Sequence, residues 1–157
     1  MAIGQPDPAN VGPLSARVLR YTDLIEQTVK AAKQPGFDAG GWAVLGEVVA
    51  IDTFQRVGNF LEVMDWAGYV DMLTQWGTTT DFWSRFRRIS EAGNVVFLEL
   101  EEHNTPAGGA ETVVNSLSVY EFDDAGKIRH LDIYLQYRPE GMAAQWGEVE
   151  FADSAAG

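Results

Sequence analysis

The chain has 157 residues, 46% hydrophobic and 22% charged, a globular balance long enough to bury one core and unlike that of a disordered chain. Its formal charge of −12, from 23 acidic and 11 basic residues, opposes nucleic acid and anionic membrane surfaces as partners. With no cysteine, disulfides, thiolate metal sites and a cysteine nucleophile are excluded. No apolar run approaches the roughly 18 residues of a membrane span. The start, MAIGQPDPANVG, lacks the basic and apolar stretches of a secretory signal, so a cytoplasmic location is expected.

Residues 1 to 14 hold three prolines and two glycines and read as a loose arm. Ser15 is the expected cap of a helix running to about Lys33, with Val18, Leu24, Ile25, Thr28 and Val29 near one stripe. Pro35-Gly36 ends it, and a short second helix is expected over Gly41 to Leu45. The β-branched stretch from Val48 to Phe54 predicts a short strand. Gly58 then opens a predicted helix from Asn59 to about Trp76, because Phe60, Val63, Met64, Ala67, Val70 and Leu73 recur at three-to-four spacing.

From Phe82 the period changes to two. Phe82 to Ser90, Val95 to His103, Glu111 to Phe122 and Lys127 to Tyr137 predict four strands, separated by short glycine-containing connections. Such connections join antiparallel neighbours, so this half is a meander. Helices followed by strands define an α+β domain over residues 15 to 137, with helices packed on one face of the sheet. Residues 138 to 157 form a tail in which Trp146 and Phe151 suggest docking, and which would serve as a lid.

The order helix, helix, short strand, Gly58, helix and meander, with the run Val119-Tyr120-Glu121-Phe122-Asp123-Asp124-Ala125-Gly126-Lys127-Ile128, resembles the nuclear transport factor two-like superfamily. This group includes ketosteroid isomerases, limonene epoxide hydrolases, scytalone dehydratases and polyketide cyclases. The resemblance implies a cone, in which a curved antiparallel sheet wraps the N-terminal helices around one internal pocket. It also implies a homodimer. Gly46 to Asp52 is similar to the ketosteroid isomerase segment that ends in the general base, which puts Asp52 in that place. That family pairs its base with a Tyr and a protonated Asp. The matching strand position here carries Ser118, and Tyr21 lies on the corresponding helix, further ahead of Asp52 than the family's tyrosine. By distance from Gly93, Glu99-Leu100-Glu101 resembles the epoxide hydrolase Arg-x-Asp, without its arginine, and the second catalytic Asp of that family falls on Ile133.

The residues carry their own readings. Asp52 is an acid in an apolar stretch, and desolvation there would raise its pKa toward that of a working base. Glu99 and Glu101 share a strand face with Val95, Phe97 and His103, whereas Val96, Leu98, Leu100 and Glu102 take the other. Parity turns the leucine face inward and the Glu99–Glu101 pair outward; the family spacing turns that pair into the pocket as acid and base. Arg56 is in reach of Asp52 as an oxyanion partner or a structural ion pair. Ser116 and Ser118 would orient a substrate oxygen, Leu131 and Ile133 would face the pocket, and Tyr21 and Trp76 would add aromatic wall. His103 and His130 lack metal-ligand spacing, so neither metal nor cofactor is expected. Arg85, Arg87 and Arg88 read as a salt-bridged surface.

The expected function is therefore cofactor-free acid–base chemistry of lyase or isomerase type on a small hydrophobic, aromatic, terpenoid or polyketide-like molecule. The catalytic candidates are Asp52, Glu99, Glu101 and Arg56. The alternatives are a non-catalytic apolar-ligand or dimeric interaction module, and epoxide hydrolase-like or dehydratase chemistry.

Overall fold

A computed structural model describes residues 2 to 136. The tail from 138 and Tyr137, the expected end of the last strand, lie outside the described residues. Helix α1 (Pro13–Ala31) starts on Pro13, whose fixed φ and missing N–H suit a first helical position. Gly12 is its N-cap, and Ser15, expected there, is buried inside the first turn. Burial at Val18, Tyr21, Thr22, Ile25, Thr28 and Val29 follows the predicted stripe. A 3-10 helix over Ala39–Glu47, capped by the Asp38 side chain on the Gly40 N–H, stands where the short second helix is expected.

Two expectations fail in the middle of the chain. Val48 to Phe54 forms no strand. Val48 and Val49 are buried by a single parallel bridge to Ile128, after which the Thr53 N–H bonds the Ala50 carbonyl and turns the chain outward. The strand that joins the sheet here is instead β1 (Gln55–Val57). Residues 59 to 65 are not helical either: the chain forms a hairpin into β2 (Val63–Asp65), and α2 (Trp66–Thr79) begins after it. The Asp65 carboxylate accepts the Gly68 N–H at 2.9 Å and is the true cap. Phe60 and Val63, which supply the early part of the helical period, are exposed on the hairpin together with Leu61.

Strands β3 (Thr80–Ala92), β4 (Val95–Pro106), β5 (Thr112–Phe122) and β6 (Ile128–Gln136) form the predicted meander. The six-stranded sheet has the order β2-β1-β6-β5-β4-β3. Its expected antiparallel pairing is broken once, because β1 runs parallel to β6, with Arg56 opposite Leu131. The sheet is thus mixed, curved and unclosed. Its inner face packs Val96, Leu98, Tyr120, Phe122, Ile128 and Leu131 against α1, Trp42 and Leu45. A Cβ on Gly77 would lie 2.9 Å from the Trp42 indole, so the glycine lets α2 sit flush on that ring.

The N-terminal arm is not loose along its length. The Ile3 N–H bonds the Ser84 carbonyl, and the Phe86 N–H bonds the Ile3 carbonyl, which covers part of the free edge of β3. Among the described residues, no helix is long and apolar enough to cross a membrane.

Candidate active site

The wide end of the cone encloses a cavity of about 330 Å³. Helix α1 contributes Tyr21, Thr22 and Ile25; α2 contributes Tyr69, Met72, Leu73 and Trp76. The sheet supplies Leu100 and Glu102 from β4, Ser118 and Tyr120 from β5, and Leu131, Ile133 and Leu135 from β6. Arg56 reaches in from β1. These elements meet because each presents every second or every third-to-fourth side chain to the same hollow.

Glu102 is the carboxylate of this cavity. It follows Val96, Leu98 and Leu100 on the inward side of β4 and is half-buried, facing the hollow. Desolvation holds its pKa above the usual carboxylate value, opposed by the Ser116 hydroxyl, which donates to Oε1 at 2.5 Å, and by the charge of Arg56. Ser116 lies opposite Leu100 on β5 and is buried beneath the wall.

Three tyrosines surround the same space. Tyr21 and Tyr69 join their hydroxyls in a short hydrogen bond, and Tyr120 sets its ring edge-on to Tyr21 with centroids 5.5 Å apart. Burial raises all three phenols above their ordinary pKa, and the mutual repulsion of their anions adds to this at Tyr21 and Tyr120. They are therefore neutral hydroxyl donors at any ordinary pH. Two linked hydroxyls use one proton between them, so the Tyr21–Tyr69 pair keeps a second O–H for a guest oxygen. Phe54 stacks on Tyr69 at 5.4 Å and fixes the ring. At the rim the Trp76 indole N–H donates to Asn104 Oδ1 at 3.1 Å.

Arg56 is largely buried, with its Cζ 5.7 Å from the Tyr69 ring centroid and its Nη1 3.4 Å from Glu62 Oε1. Glu62 also accepts the Phe60 N–H at 2.9 Å. Its own and Phe60's backbone N–H groups, with Arg56, hold its carboxyl below the usual range. A Cβ on Gly58 would fall 1.6 Å from Glu62 Oε1 and 2.8 Å from Arg56 Nη1. Gly58 is thus needed for this hairpin brace and does not open a helix.

Of the sequence candidates, Tyr21, Arg56, Trp76, Ser118, Leu131 and Ile133 line the cavity, and Ser116 supports Glu102. The other three acids do not reach it. Asp52 is exposed on the turn after the Ile128 bridge, beside a shallow depression with Phe54, Gln55 and Met64, because its segment turns outward instead of continuing as a strand. Glu99 and Glu101 stand on the outer face, since the pleat that sends Leu98, Leu100 and Glu102 inward sends them out. There Glu99 pairs with Arg88, and Glu101 lies 3.7 Å from Arg85 Nη1 and 2.7 Å from His103 Nε2. Arg85 and Arg88 are thus salt-bridged as expected, whereas Arg87 donates to the Asn115 amide oxygen. Among the described residues, no cluster of His, Asp and Glu could hold a metal ion. Glu102 and Tyr120 are the cavity residues that sequence reasoning did not place in the site. The available signal for Glu102 was its parity, an acid in register with a run of core leucines.

A curved sheet wrapped on helices around a polar-tipped apolar cavity defines a class of α+β cones. No family model and no curated protein matches the sequence. Solved structures do. A proposed SnoaL-like polyketide cyclase from Jannaschia sp. CCS1 aligns over 90% of this chain and 95% of its own, with TM-score 0.61 and 13% identity. An NTF2-like protein of unknown function from Exiguobacterium sp. 255-15 aligns over 76% and 98%, at 0.58 and 17%. SalBIII, an epoxide hydrolase/cyclase-like enzyme of pyran ring formation in the polyether salinomycin, aligns over 78% and 90%, at 0.61 and 13%. The chain has the nuclear transport factor two-like fold.

Proposed function

We propose that this protein is a cofactor-free acid–base enzyme of isomerase or cyclase type, acting on a small hydrophobic molecule held in the cavity. The observation that carries this reading is Glu102, a half-buried carboxyl with a pKa raised by desolvation that faces a largely apolar hollow beside hydroxyl donors. A site of about 330 Å³ is at the small end of the roughly 300–1,000 Å³ usual for ligand pockets, so the substrate is compact.

In this reading a C–H beside a substrate carbonyl gives its proton to the Glu102 carboxylate. The carbonyl oxygen takes up the electron pair as an enolate and receives the spare O–H of the Tyr21–Tyr69 pair. Return of the proton from Glu102 to a different carbon completes an isomerisation. Attack of the enolate carbon on a second carbonyl carbon of the same molecule closes a ring instead; the C=O π pair moves to that oxygen, which takes the proton from Glu102. Ser116 holds Oε1, so the other carboxylate oxygen is the one offered to substrate. Proton transfer by a placed carboxyl contributes typically about 10²–10⁴-fold. The kinship in fold with proteins described as polyketide cyclases favours ring-bearing or ring-forming substrates.

Deuterium uptake at the α-carbons of 1- and 2-tetralone, followed by NMR in heavy water, tests this. Wild-type protein should accelerate exchange, and Glu102→Gln should return it to the buffer rate while keeping the fold and ketone binding. Equal exchange by both proteins would reject Glu102 as the base.

A further inference from the structure

The cation of the cavity is not paired inside it. Among its described lining residues Arg56 is the cation and Glu102 the carboxyl, and no ion pair within 4.0 Å links the two. The tyrosines, raised by burial, are neutral and supply no countercharge. The countercharge of Arg56 is Glu62, which stands outside the lining on the hairpin, with its side chain 38% exposed against 12% for Arg56.

The contact between them is thin. A guanidinium carries five N–H donors in a rigid fork. Here one nitrogen, Nη1, meets one carboxylate oxygen at 3.4 Å, and that carboxylate is shared with the Phe60 N–H. Nε and Nη2 have no hydrogen-bond partner among the described residues. Tyr69 offers its ring face to the group, which attracts a cation but accepts none of the in-plane donors. Donors left without acceptors in a partly desolvated wall are costly unless something enters to receive them. Arginine's fork matches a carboxylate through two parallel bonds. Beyond Arg56 the wall is apolar: Met72, Leu73, Phe82, Ile133 and Leu135.

We propose that the ligand of this cavity is a hydrophobic carboxylic acid, whose carboxylate is anchored by Arg56 while its apolar body fills the hollow toward the rim. This rests on the reading that the cavity is a ligand site, and it adds the class of ligand. Arg56 is then a specificity-determining residue. Glu62 is its competitor, because the acid displaces or shares the pair that braces the hairpin. The anchor also places the reacting end. An acid held at Arg56, beside Tyr69, directs the atoms next to its carboxylate at the tyrosine pair and Glu102.

Titration calorimetry with 2-naphthoate and 2-naphthamide, near-isosteres that differ in charge, tests the anchor without any need for turnover. Wild-type protein should bind the acid at least about tenfold more tightly, the worth of a charge-assisted two-point contact. Arg56→Gln should abolish that preference by weakening the acid and sparing the amide. Glu62→Gln should raise it, by freeing the guanidinium of its competitor. Equal binding of acid and amide by wild type, binding of neither, or an undiminished preference in Arg56→Gln would overturn the proposal. Where Arg56→Gln does not fold, Glu62→Gln decides it, and an unchanged ratio counts against it. Failure of the catalytic reading looks different: the acid preference would stand while no ketone exchanges.

Discussion

The two faces of β4 carry the same chemical group in opposite conditions. Outward, Glu99 is clamped by Arg88, which holds its carboxyl below the usual range, and Glu101 is packed between Arg85 and His103. His103 in turn stacks on Trp83 at 3.5 Å and bonds Glu111, whose carboxyl it holds down. Inward, one residue along, Glu102 has a serine hydroxyl for company, and burial holds its carboxyl up. The outer acids are committed to their partners and do not face the cavity. The inner acid has its proton affinity moved toward the working range and faces empty space. Residue type is common to both faces, and the pleat with its neighbours decides which acid can do chemistry.

The largest effect expected from this contrast is on turnover. Glu102→Gln should cost about 10²–10⁴-fold in ketone exchange, whereas Glu99→Gln, Glu101→Gln and Asp52→Asn should each leave the rate within about twofold, as expected of surface changes remote from the reacting atoms. A large loss from any of those three, measured in the same NMR assay, would erase the distinction between the faces.

Next is the hydroxyl pair. Tyr69→Phe removes one of the two phenols that share a hydrogen bond and should lower the exchange rate by about 10²-fold, the scale of one lost oxyanion donor. Tyr134→Phe, an exposed tyrosine on the outer side of β6, should do nothing measurable.

A smaller effect is on pH-dependent stability. Because folding raises the Glu102 pKa above its ordinary 4.5, the native state binds more protons than the unfolded chain between the two values. Stability from this residue is therefore fully present at low pH and is lost as pH rises from about 4.5 through the raised value. Urea denaturation at several pH values should show this decline in wild type and its absence in Glu102→Gln. The opposite sign holds for Glu99, whose lowered pKa means its contribution fades as pH falls. Smallest of all, breaking the exposed Arg88–Glu99 pair should shift the melting temperature slightly, and less at high salt.

How far the site was legible follows from the range of each signal. The meander could be read because alternation, turn glycines and strand length are local properties, written within about ten residues. The face of Leu131, Ile133 and Leu135 came out right for the same reason: an unbroken period of two has one apolar side. On β4 the same rule pointed inward for Leu98, Leu100 and Glu102, and only the family spacing drew attention to their neighbours. Asp52 and the residues after Gly58 were misread where two local patterns compete. Val48 to Phe54 has strand composition but one bridge to satisfy it, and Phe60 to Met64 has helical spacing but lies ahead of the stronger cap at Asp65.

Sequence alone determined the α+β order, the four-strand meander, the buried stripe of α1 and the acidic, cysteine-free character of the chain, since each depends on residue type and short-range period. Tertiary structure decided which glutamate meets the cavity, that the hydroxyls of two tyrosines 48 residues apart hydrogen-bond, and that Arg56 turns to Tyr69 and Glu62 and away from Asp52. Those outcomes depend on which side of a pleat is covered and on how helices settle on a curved sheet. Such contacts are long-range, and the neighbours that tell one carboxylate from the next are in place only once they have formed.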